Sequence, residues 1–173
     1  AFPQYPPGAS GTLVIGGDAQ TSWGRLTETA GRPAGTWGSY GANGWIYECG
    51  QDVLYGKPRE HFWASPNVNG ASQIPLFMDC WFWCGWPEHT DTPPSFDGER
   101  WSGDADSMQR FAINRHEQAI NAIFLDYSIK RIGLKELWTL KWSRRYSPAG
   151  AWTRAGGARP EDWPDWMRSF TDY

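Results

Sequence analysis

Two side chains in the last third of the chain could act together in chemistry. His116 and Asp126 are separated by nine residues, and a carboxylate that orients an imidazole is a common way of preparing a general base. Such a base needs a nucleophile, and no Ser or Cys near this pair stands in a recognisable nucleophile motif. The sequence therefore favours a structural interpretation, in which His116 and Asp126 hydrogen-bond across adjacent strands of a hairpin.

Other carboxylates suggest two further kinds of site. A glycosidase needs two carboxylates at a defined separation, and Glu48, Asp79 and Glu136 are candidates, but no spacing makes one pair special. The loop SFDGERWSGDADS carries hard oxygen ligands that could hold calcium, although a solvated acidic loop fits the same spacing: Asp97, Glu99, Asp104 and Asp106. We predict no enzyme activity and no catalytic cofactor, with calcium as the one candidate ion.

Three cysteines, Cys49, Cys80 and Cys84, make an odd count, so at least one is free or pairs with another chain. On one extended strand Cys80 and Cys84 would lie about 13 Å apart, whereas a disulfide needs a Cα separation of about 4.4 to 6.8 Å. A bridge from either one to Cys49 on a neighbouring strand is easier, and buried thiols are the other outcome. A zinc site with His89 as a further ligand is disfavoured, because the cysteines lack the paired Cys-x-x-Cys spacing of structural zinc sites.

The 13 tryptophans divide into two groups. One group lies in polar, glycine-rich stretches and could form a platform on which sugar rings stack: Trp23, Trp37, Trp101 and Trp152. The other lies in apolar, patterned segments and is expected in the core or at a subunit interface: Trp81, Trp83, Trp138, Trp142, Trp163 and Trp166. A carbohydrate-binding module is therefore an alternative function, and the exposure of the indoles distinguishes it from a structural one.

The composition favours one β-rich domain. The chain has 173 residues, a formal net charge of −3, 20 glycines and 13 prolines. A chain of this length can bury a hydrophobic core without disulfides or bound metals. The charges are spread along the chain, so we expect no nucleic-acid partner. No apolar run approaches the roughly 18 residues of a membrane-spanning helix.

The elements that must position these side chains follow from the pattern. Residues 1–36 are Pro- and Gly-rich and are predicted to form an extended arm and loop, followed by a head domain over residues 37–173. Strands are predicted over Trp37–Tyr47 and Ile74–Trp86, the second being central. Residues 110–133 alternate and predict a three-stranded meander with tight turns at Glu117-Gln118 and Asp126-Tyr127.

Two short helices are predicted after the meander. Leu134, Leu137, Trp138 and Trp142 fall at helical spacing. Pro160 opens the second segment, with acidic residues in its first turn. The fold class is thus α+β, dominated by antiparallel sheet with short C-terminal helices.

The segment NRHEQAINAIFLDYSIKRIGLKELWTLKW resembles the C-terminal signature of bacterial prepilin-type proteins, the pseudopilins of type II secretion and the type IV pilin-like proteins. That family repeats an Arg-His pair, a strand ending in Phe-x-Asp, and nine residues between His and Asp. The matching positions are Arg115, His116, Asn121, Phe124 and Asp126. Three further pieces are similar to the same group: residues 38–45, residues 74–80, and the tail from Pro160 to Met167.

The resemblance departs from the family at two places. Tyr127 follows Asp126 where the family usually has glycine, which bears on the type of turn. The family's N-terminal pilin helix is absent from these 173 residues, and the resemblance implies that such a helix carries the protein's membrane attachment.

The resemblance implies a pilin-like globular head and a function in assembly. The expected function is a structural subunit or accessory of a bacterial pilus-like or type II secretion-like filament. Its expected partners are copies of itself or related pilin-like subunits. The expected location is the cell surface, the extracellular space or the periplasmic face of the envelope.

Overall fold

The structure is a computed structural model, and it describes residues 22–24, 37–47, 50, 52–54, 56–99 and 106–173. Most of the predicted arm over residues 1–36 lies outside this part of the chain. Its described piece, residues 22–24, contains a two-residue strand that pairs with the first strand of the head. No helix in the described ranges is long and apolar enough to cross a membrane.

Nine strands form three sheets in the described chain. The strands are β1 (Trp23–Gly24), β2 (Trp37–Gly38), β3 (Tyr40–Asn43), β4 (Val53–Leu54), β5 (Lys57–Pro58), β6 (Pro75–Asp79), β7 (Cys84–Gly85), β8 (Ala119–Phe124) and β9 (Ile129–Gly133). The main sheet has the order β7-β3-β6-β8-β9, and the pairs β1-β2 and β4-β5 stand apart from it. Every pairing is antiparallel except that of β3 with β7. The β-rich, mainly antiparallel class predicted from the sequence is therefore confirmed.

Strand β6 occupies the middle of the main sheet, as predicted, but the predicted strand Ile74–Trp86 is broken. The chain leaves β6 at Cys80 and crosses to the far side of β3, where it returns as β7. The crossing passes close to Gly41, because a Cβ there would lie 2.5 Å from the carbonyl oxygen of Phe82 and 2.7 Å from the Cys80 sulfur. A continuous strand is excluded by this crossover, which needs glycine at position 41.

The predicted meander is correct in two of its three strands. Strands β8 and β9 form a hairpin, and Ile120, Ala122 and Phe124 point into the core as the alternation predicts. The predicted first strand is wrong. Residues Ser107–Arg110 form a 3-10 helix, and Phe111 to Ile113 are all buried, with their amides bonded to carbonyls only two to four residues back.

The short C-terminal helices are present, but they are 3-10 turns rather than α-helices. They span Lys135–Thr139, Arg154–Gly156, Pro160–Asp162 and Asp165–Met167. Of the tryptophans predicted for the core or an interface, four are buried and two, Trp83 and Trp166, are half-buried. Buried Trp138 packs on Trp163 with ring centroids 5.2 Å apart. Each buried indole N–H needs an acceptor, and Trp138 and Trp142 donate to the carbonyls of Asp91 and Leu137, both at 2.8 Å.

Candidate functional site: the Asp79 cluster

The last residue of β6, Asp79, is a buried carboxylate at the centre of the sheet. It is 2% exposed, and its Oδ2 accepts hydrogen bonds from the Asn121 amide at 2.7 Å and faces His116 Nε2 at 3.1 Å. Its Oδ1 lies 3.6 Å from Arg115 Nη1. We call these four residues the Asp79 cluster. Burying a carboxylate is costly unless it is paired with a cation and hydrogen-bonded. The Asp79 carboxylate has both a cationic neighbour and hydrogen bonds.

The strand register explains how Asn121 reaches Asp79. Met78 pairs with Ala122 across β6 and β8, so the next pair along the two antiparallel strands is Asp79 with Asn121. The remaining two members come from the loop before β8, which folds back over the outer face of the sheet. A contact between these distant parts of the sequence therefore depends on the register.

A tight turn holds Arg115 and His116 in place. Glu117 and Gln118 both have positive φ, 49° and 66°, as in the type I′ turns that join two strands most tightly. The His116 amide donates to the Ala119 carbonyl at 3.0 Å, and Arg131 Nη2 donates to the carbonyls of His116 and Glu117 at 2.7 and 2.8 Å. The predicted turn at Glu117-Gln118 is confirmed, although neither residue is the glycine or asparagine that this conformation favours.

Arg115 links the cluster to the other side of β6. Its side chain is only 9% exposed, and its guanidinium also donates to the Ser39 carbonyl. The same carbonyl accepts from the Cys80 amide at 2.9 Å. One ion pair thus connects the β2–β3 junction, the end of β6 and the loop before β8.

The predicted pairing of His116 with Asp126 is wrong. Asp126 lies at the exposed tip of the β8–β9 hairpin and accepts from the Ser128 amide at 3.0 Å and from the Ser128 hydroxyl at 2.6 Å. These two hydrogen bonds hold the pKa of Asp126 below its ordinary value. The partner of His116 is Asp79, which the sequence had offered only as one of several carboxylates.

The structure also shows which type of turn joins β8 to β9, where Tyr127 replaces the glycine usual in the family. Phe124 and Ser128 close a three-residue loop through an amide-to-carbonyl bond of 2.9 Å, and Tyr127 has a φ of 65°. This is the position that usually carries glycine in three-residue hairpin loops. The observed turn is therefore one residue longer than the two-residue turn predicted at Asp126-Tyr127.

The signature residues divide between the cluster and the core. Arg115, His116 and Asn121 meet at Asp79, whereas Phe124 is fully buried on the opposite face of β8, with Lys130 Nζ 4.3 Å from its ring centroid. Within the described chain no hydrogen bond joins His116 to a Ser, Thr or Cys side chain. The arrangement can fix a loop to a sheet, and it does not present a nucleophile.

The described members of the candidate calcium loop do not converge. Asp97 accepts from the Asn114 amide at 3.1 Å, Glu99 from the Ser95 amide, and Asp106 from the Thr92 amide at 2.8 Å. Asp104 lies outside the described residues. Among those that are described, no three His, Cys, Asp or Glu side chains form a group that could hold a metal ion.

The cysteines are buried where the structure describes them. Cys80 is a free thiol that is fully buried, and burial raises its pKa well above the ordinary value. Its sulfur accepts from the Phe82 amide at 3.3 Å. Cys84 is buried as well, and Cys49 lies outside the described part, so the structure contains no bridge at Cys80.

The described members of the predicted sugar platform do not form an exposed surface. Trp23, Trp37 and Trp152 are half-buried, and Trp152 packs on Trp163 with ring centroids 5.4 Å apart. Trp101 lies outside the described residues. Instead of indoles, the large exposed apolar side chains include Phe77, Tyr127 and Ile129.

A second buried carboxylate, Asp91, was missed by the sequence analysis. It is 7% exposed, and its Oδ2 accepts from the Glu88 and Met108 amides at 3.1 and 2.9 Å. Burial raises its pKa to about 6, and the two amide hydrogen bonds oppose that change. The acid-rich loop around residue 91 gave the only sequence signal, and it did not distinguish this carboxylate from the exposed ones.

Comparisons with known proteins do not assign this chain to a family. No family model, no curated protein and no solved structure matches the chain. A functional proposal therefore rests on the residues themselves and on how the fold brings them together.

Proposed function

We propose that this chain is the pilin-like head of a structural subunit, or an accessory, of a bacterial pilus-like or type II secretion-like filament. The observation that carries the proposal is the Asp79 cluster. It joins two separate pieces of the prepilin resemblance, residues 74–80 and residues 115–121, through one buried carboxylate. The cluster has the properties of a structural brace, which supports a role in assembly.

The third piece of the resemblance packs against the same body. Trp163 of the C-terminal tail contacts Trp138, and Trp166 Nε1 donates to the Pro94 carbonyl at 2.8 Å. Lys135 is buried and pairs with Asp172 at 2.7 Å. Pieces that lie far apart in the sequence thus pack together, which supports the proposal of one head.

An apolar row on the outer face of the sheet supports contacts between subunits. Phe77, Ile123 and Ile129 are cross-strand neighbours on β6, β8 and β9, and Phe77 and Ile129 are 44% and 75% exposed. Tyr127, at the adjoining hairpin tip, is 76% exposed. Exposed apolar groups that cluster in this way are typical of interaction surfaces, and β9 is an edge strand of its sheet.

The proposal includes the surroundings of the head. Partners are copies of the same protein or related pilin-like subunits, at the cell surface or the periplasmic face of the envelope. Attachment to the membrane is through the N-terminal helix that the resemblance implies. A net charge of −3 without a basic patch fits a protein partner better than nucleic acid.

The first test is to purify the native protein from the cells that produce it, together with whatever remains attached. Intact-mass and N-terminal analysis would be followed by electron microscopy of the same fraction. We expect filamentous material whose subunits carry a methylated helix ahead of the head. Monomeric protein without such a helix would contradict the proposal.

A matched pair of variants then tests the apolar row. Ile129→Asp places a charge on the row, and we expect it to stop incorporation into filaments without unfolding the head, because the residue is exposed. Asp97→Asn, on the acidic loop, removes a charge elsewhere on the surface and is expected to assemble normally. Equal assembly of both variants would exclude this surface as the contact.

A further inference from the structure

A small polar cavity lies between the tight turn before β8, strand β9 and the C-terminal tail. Its volume is about 180 Å³, and its lining includes Glu117, Gln118, Arg131, Gly133, Thr171 and Tyr173. We call it the turn cavity. At about 30 Å³ per water molecule in the liquid, its volume matches a handful of waters or one small ring. None of the residues singled out by the sequence as candidate ligands lines it.

The polar side chains that line the cavity, those of Glu117, Gln118 and Arg131, are exposed to solvent, and they keep polar atoms that bond to no described residue. Arg131 uses Nη2 to hold the carbonyls of His116 and Glu117, and its other guanidinium nitrogens have no hydrogen-bond partner among the described residues. The side chains of Glu117 and Gln118 likewise bond to no described residue. A fixed cation, a carboxylate and an amide therefore face one small space, with donors and acceptors both present.

The backbone that carries these groups is held in a costly conformation. Glu117 and Gln118 are consecutive residues with positive φ, a state that costs most side chains about 1 to 2 kcal/mol each. The Gln118 amide donates to Asn114 Oδ1 at 2.6 Å, and the Leu134 amide donates to the Gln118 carbonyl at 2.9 Å. Strain that the surrounding structure maintains in this way is concentrated at functional sites.

Tyr173 lines the cavity with its aromatic ring, which is 40% exposed, and contacts of the neighbouring backbone and of Asp172 position it. The Arg154 amide donates to its carbonyl at 2.7 Å, and the neighbouring Asp172 pairs with buried Lys135. The ring fits against β9 only because residue 133 is glycine: a Cβ there would lie 2.5 Å from the Tyr173 hydroxyl oxygen. Burial and the nearby Glu136 carboxylate raise the pKa of the Tyr173 hydroxyl, and the Arg131 guanidinium opposes this change.

We propose that the turn cavity binds one ring of a neutral sugar. A sugar hydroxyl both donates and accepts, so it can bridge the Glu117 carboxylate, the Gln118 amide and the guanidinium of Arg131. The C–H face of the ring packs on the phenol of Tyr173. Because Glu117 and Arg131 offset each other's charge, a neutral ligand fits better than an anion. This site goes beyond the proposed role in assembly and uses none of the tryptophans once expected to bind sugar.

The test is ligand titration by protein-observed nuclear magnetic resonance on the 173-residue chain. The probes are glucose, galactose, mannose and N-acetylglucosamine, with glucuronate and galacturonate as anionic counterparts. We expect at least one neutral sugar to shift the amide signals of residues 117, 118 and 133, with a dissociation constant of about 1 to 10 mM. The matching uronate should bind more weakly.

Variants distinguish the cavity from the rest of the surface. Glu117→Gln keeps the shape and removes the carboxylate, and Tyr173→Ala removes the ring; each should weaken binding by about tenfold or more. Glu161→Gln, an exposed position on the C-terminal tail, should leave binding unchanged. Thermal unfolding of each variant checks that the head is intact.

Three results with the wild-type protein would overturn the proposal. They are no binding by any of the neutral sugars, binding confined to the uronates, and signal shifts that lie away from the turn cavity. Equal binding by wild type and Glu117→Gln would also contradict it, since that substitution alters only the lining. None of these results bears on assembly, so failure here leaves the filament proposal to its own test.

Discussion

His116 Nε2 lies 3.1 Å from Asp79 Oδ2, on the central strand of the sheet. The His-x9-Asp spacing of the sequence had instead suggested Asp126 as its partner. The difference matters because Asp79 is buried and also holds Arg115, whereas Asp126 is exposed and bonds only within its own turn. The histidine therefore joins a loop to the core rather than bracing the tip of a hairpin.

The first prediction concerns the carboxylate at the centre of this cluster. Asp79→Asn should lower the free energy of unfolding by about 3 kcal/mol, because it removes the buried carboxylate that faces the Arg115 guanidinium. Asp126→Asn should cost much less, since that carboxylate is exposed. Urea unfolding followed by tryptophan fluorescence measures both, and equal losses would restore Asp126 as the structural partner.

A second prediction uses the backbone of Tyr127. Because its φ is 65°, Tyr127→Gly should be more stable than Tyr127→Ala by about 1 kcal/mol. The neighbouring strand position gives the control with the opposite sign: Ile129→Ala should be more stable than Ile129→Gly. Thermal or urea unfolding of the four variants tests the order, and the usual preference for Ala at both positions would show that residue 127 is not left-handed.

The third prediction is a dependence of stability on pH that Asp91 causes. Its pKa is about 6 in the folded protein against an ordinary value of 3.8, so the folded state binds the proton more tightly. Stability from this group is therefore fully present below about pH 4 and is lost as the pH rises through 6. The loss is on the order of 2 to 3 kcal/mol.

Asp91→Asn isolates this contribution. The difference in the free energy of unfolding between wild type and variant should change steadily between about pH 4 and pH 7 and then level off. Other carboxylates titrate in both proteins and cancel in the difference. A difference that stays constant across this range would mean that Asp91 is not desolvated.

A fourth prediction follows from the burial of Cys80. Its raised pKa and full burial should protect the thiol from iodoacetamide in the native protein, because the thiolate is the reactive form. Denaturation should expose it to complete alkylation. Mass spectrometry of the peptide containing residue 80 reads the modification, and rapid labelling in native buffer would contradict the buried position.

Local pattern alone was enough for several features of this protein. The alternation of Ile120, Ala122 and Phe124 predicted a strand with one buried face, because a strand places every second side chain on the same side. The apolar run that begins at Ile74 predicted the central strand, and Glu117-Gln118 was placed correctly as a turn. These features depend on residues near one another in the chain, where periodicity and turn chemistry act.

Other features were decided by the tertiary structure. Phe111 and Ile113 look like a strand in sequence, but the backbone there bonds locally and all of its side chains are buried, so periodicity could not distinguish the two states. The helical spacing from Leu134 corresponds to a short 3-10 helix over Lys135–Thr139 rather than to an α-helix.

The partner of His116 shows most clearly what the sequence could not supply. Asp79 and Asp126 are both carboxylates, and the nearer one in sequence is the wrong one. Only the register of β6 against β8, and the strained turn that folds residues 115 and 116 over the sheet, bring Asp79 into reach. The sequence determined which segments are apolar and where the chain turns, whereas long-range pairing decided which charges meet, because a contact energy depends on distance in space rather than along the chain.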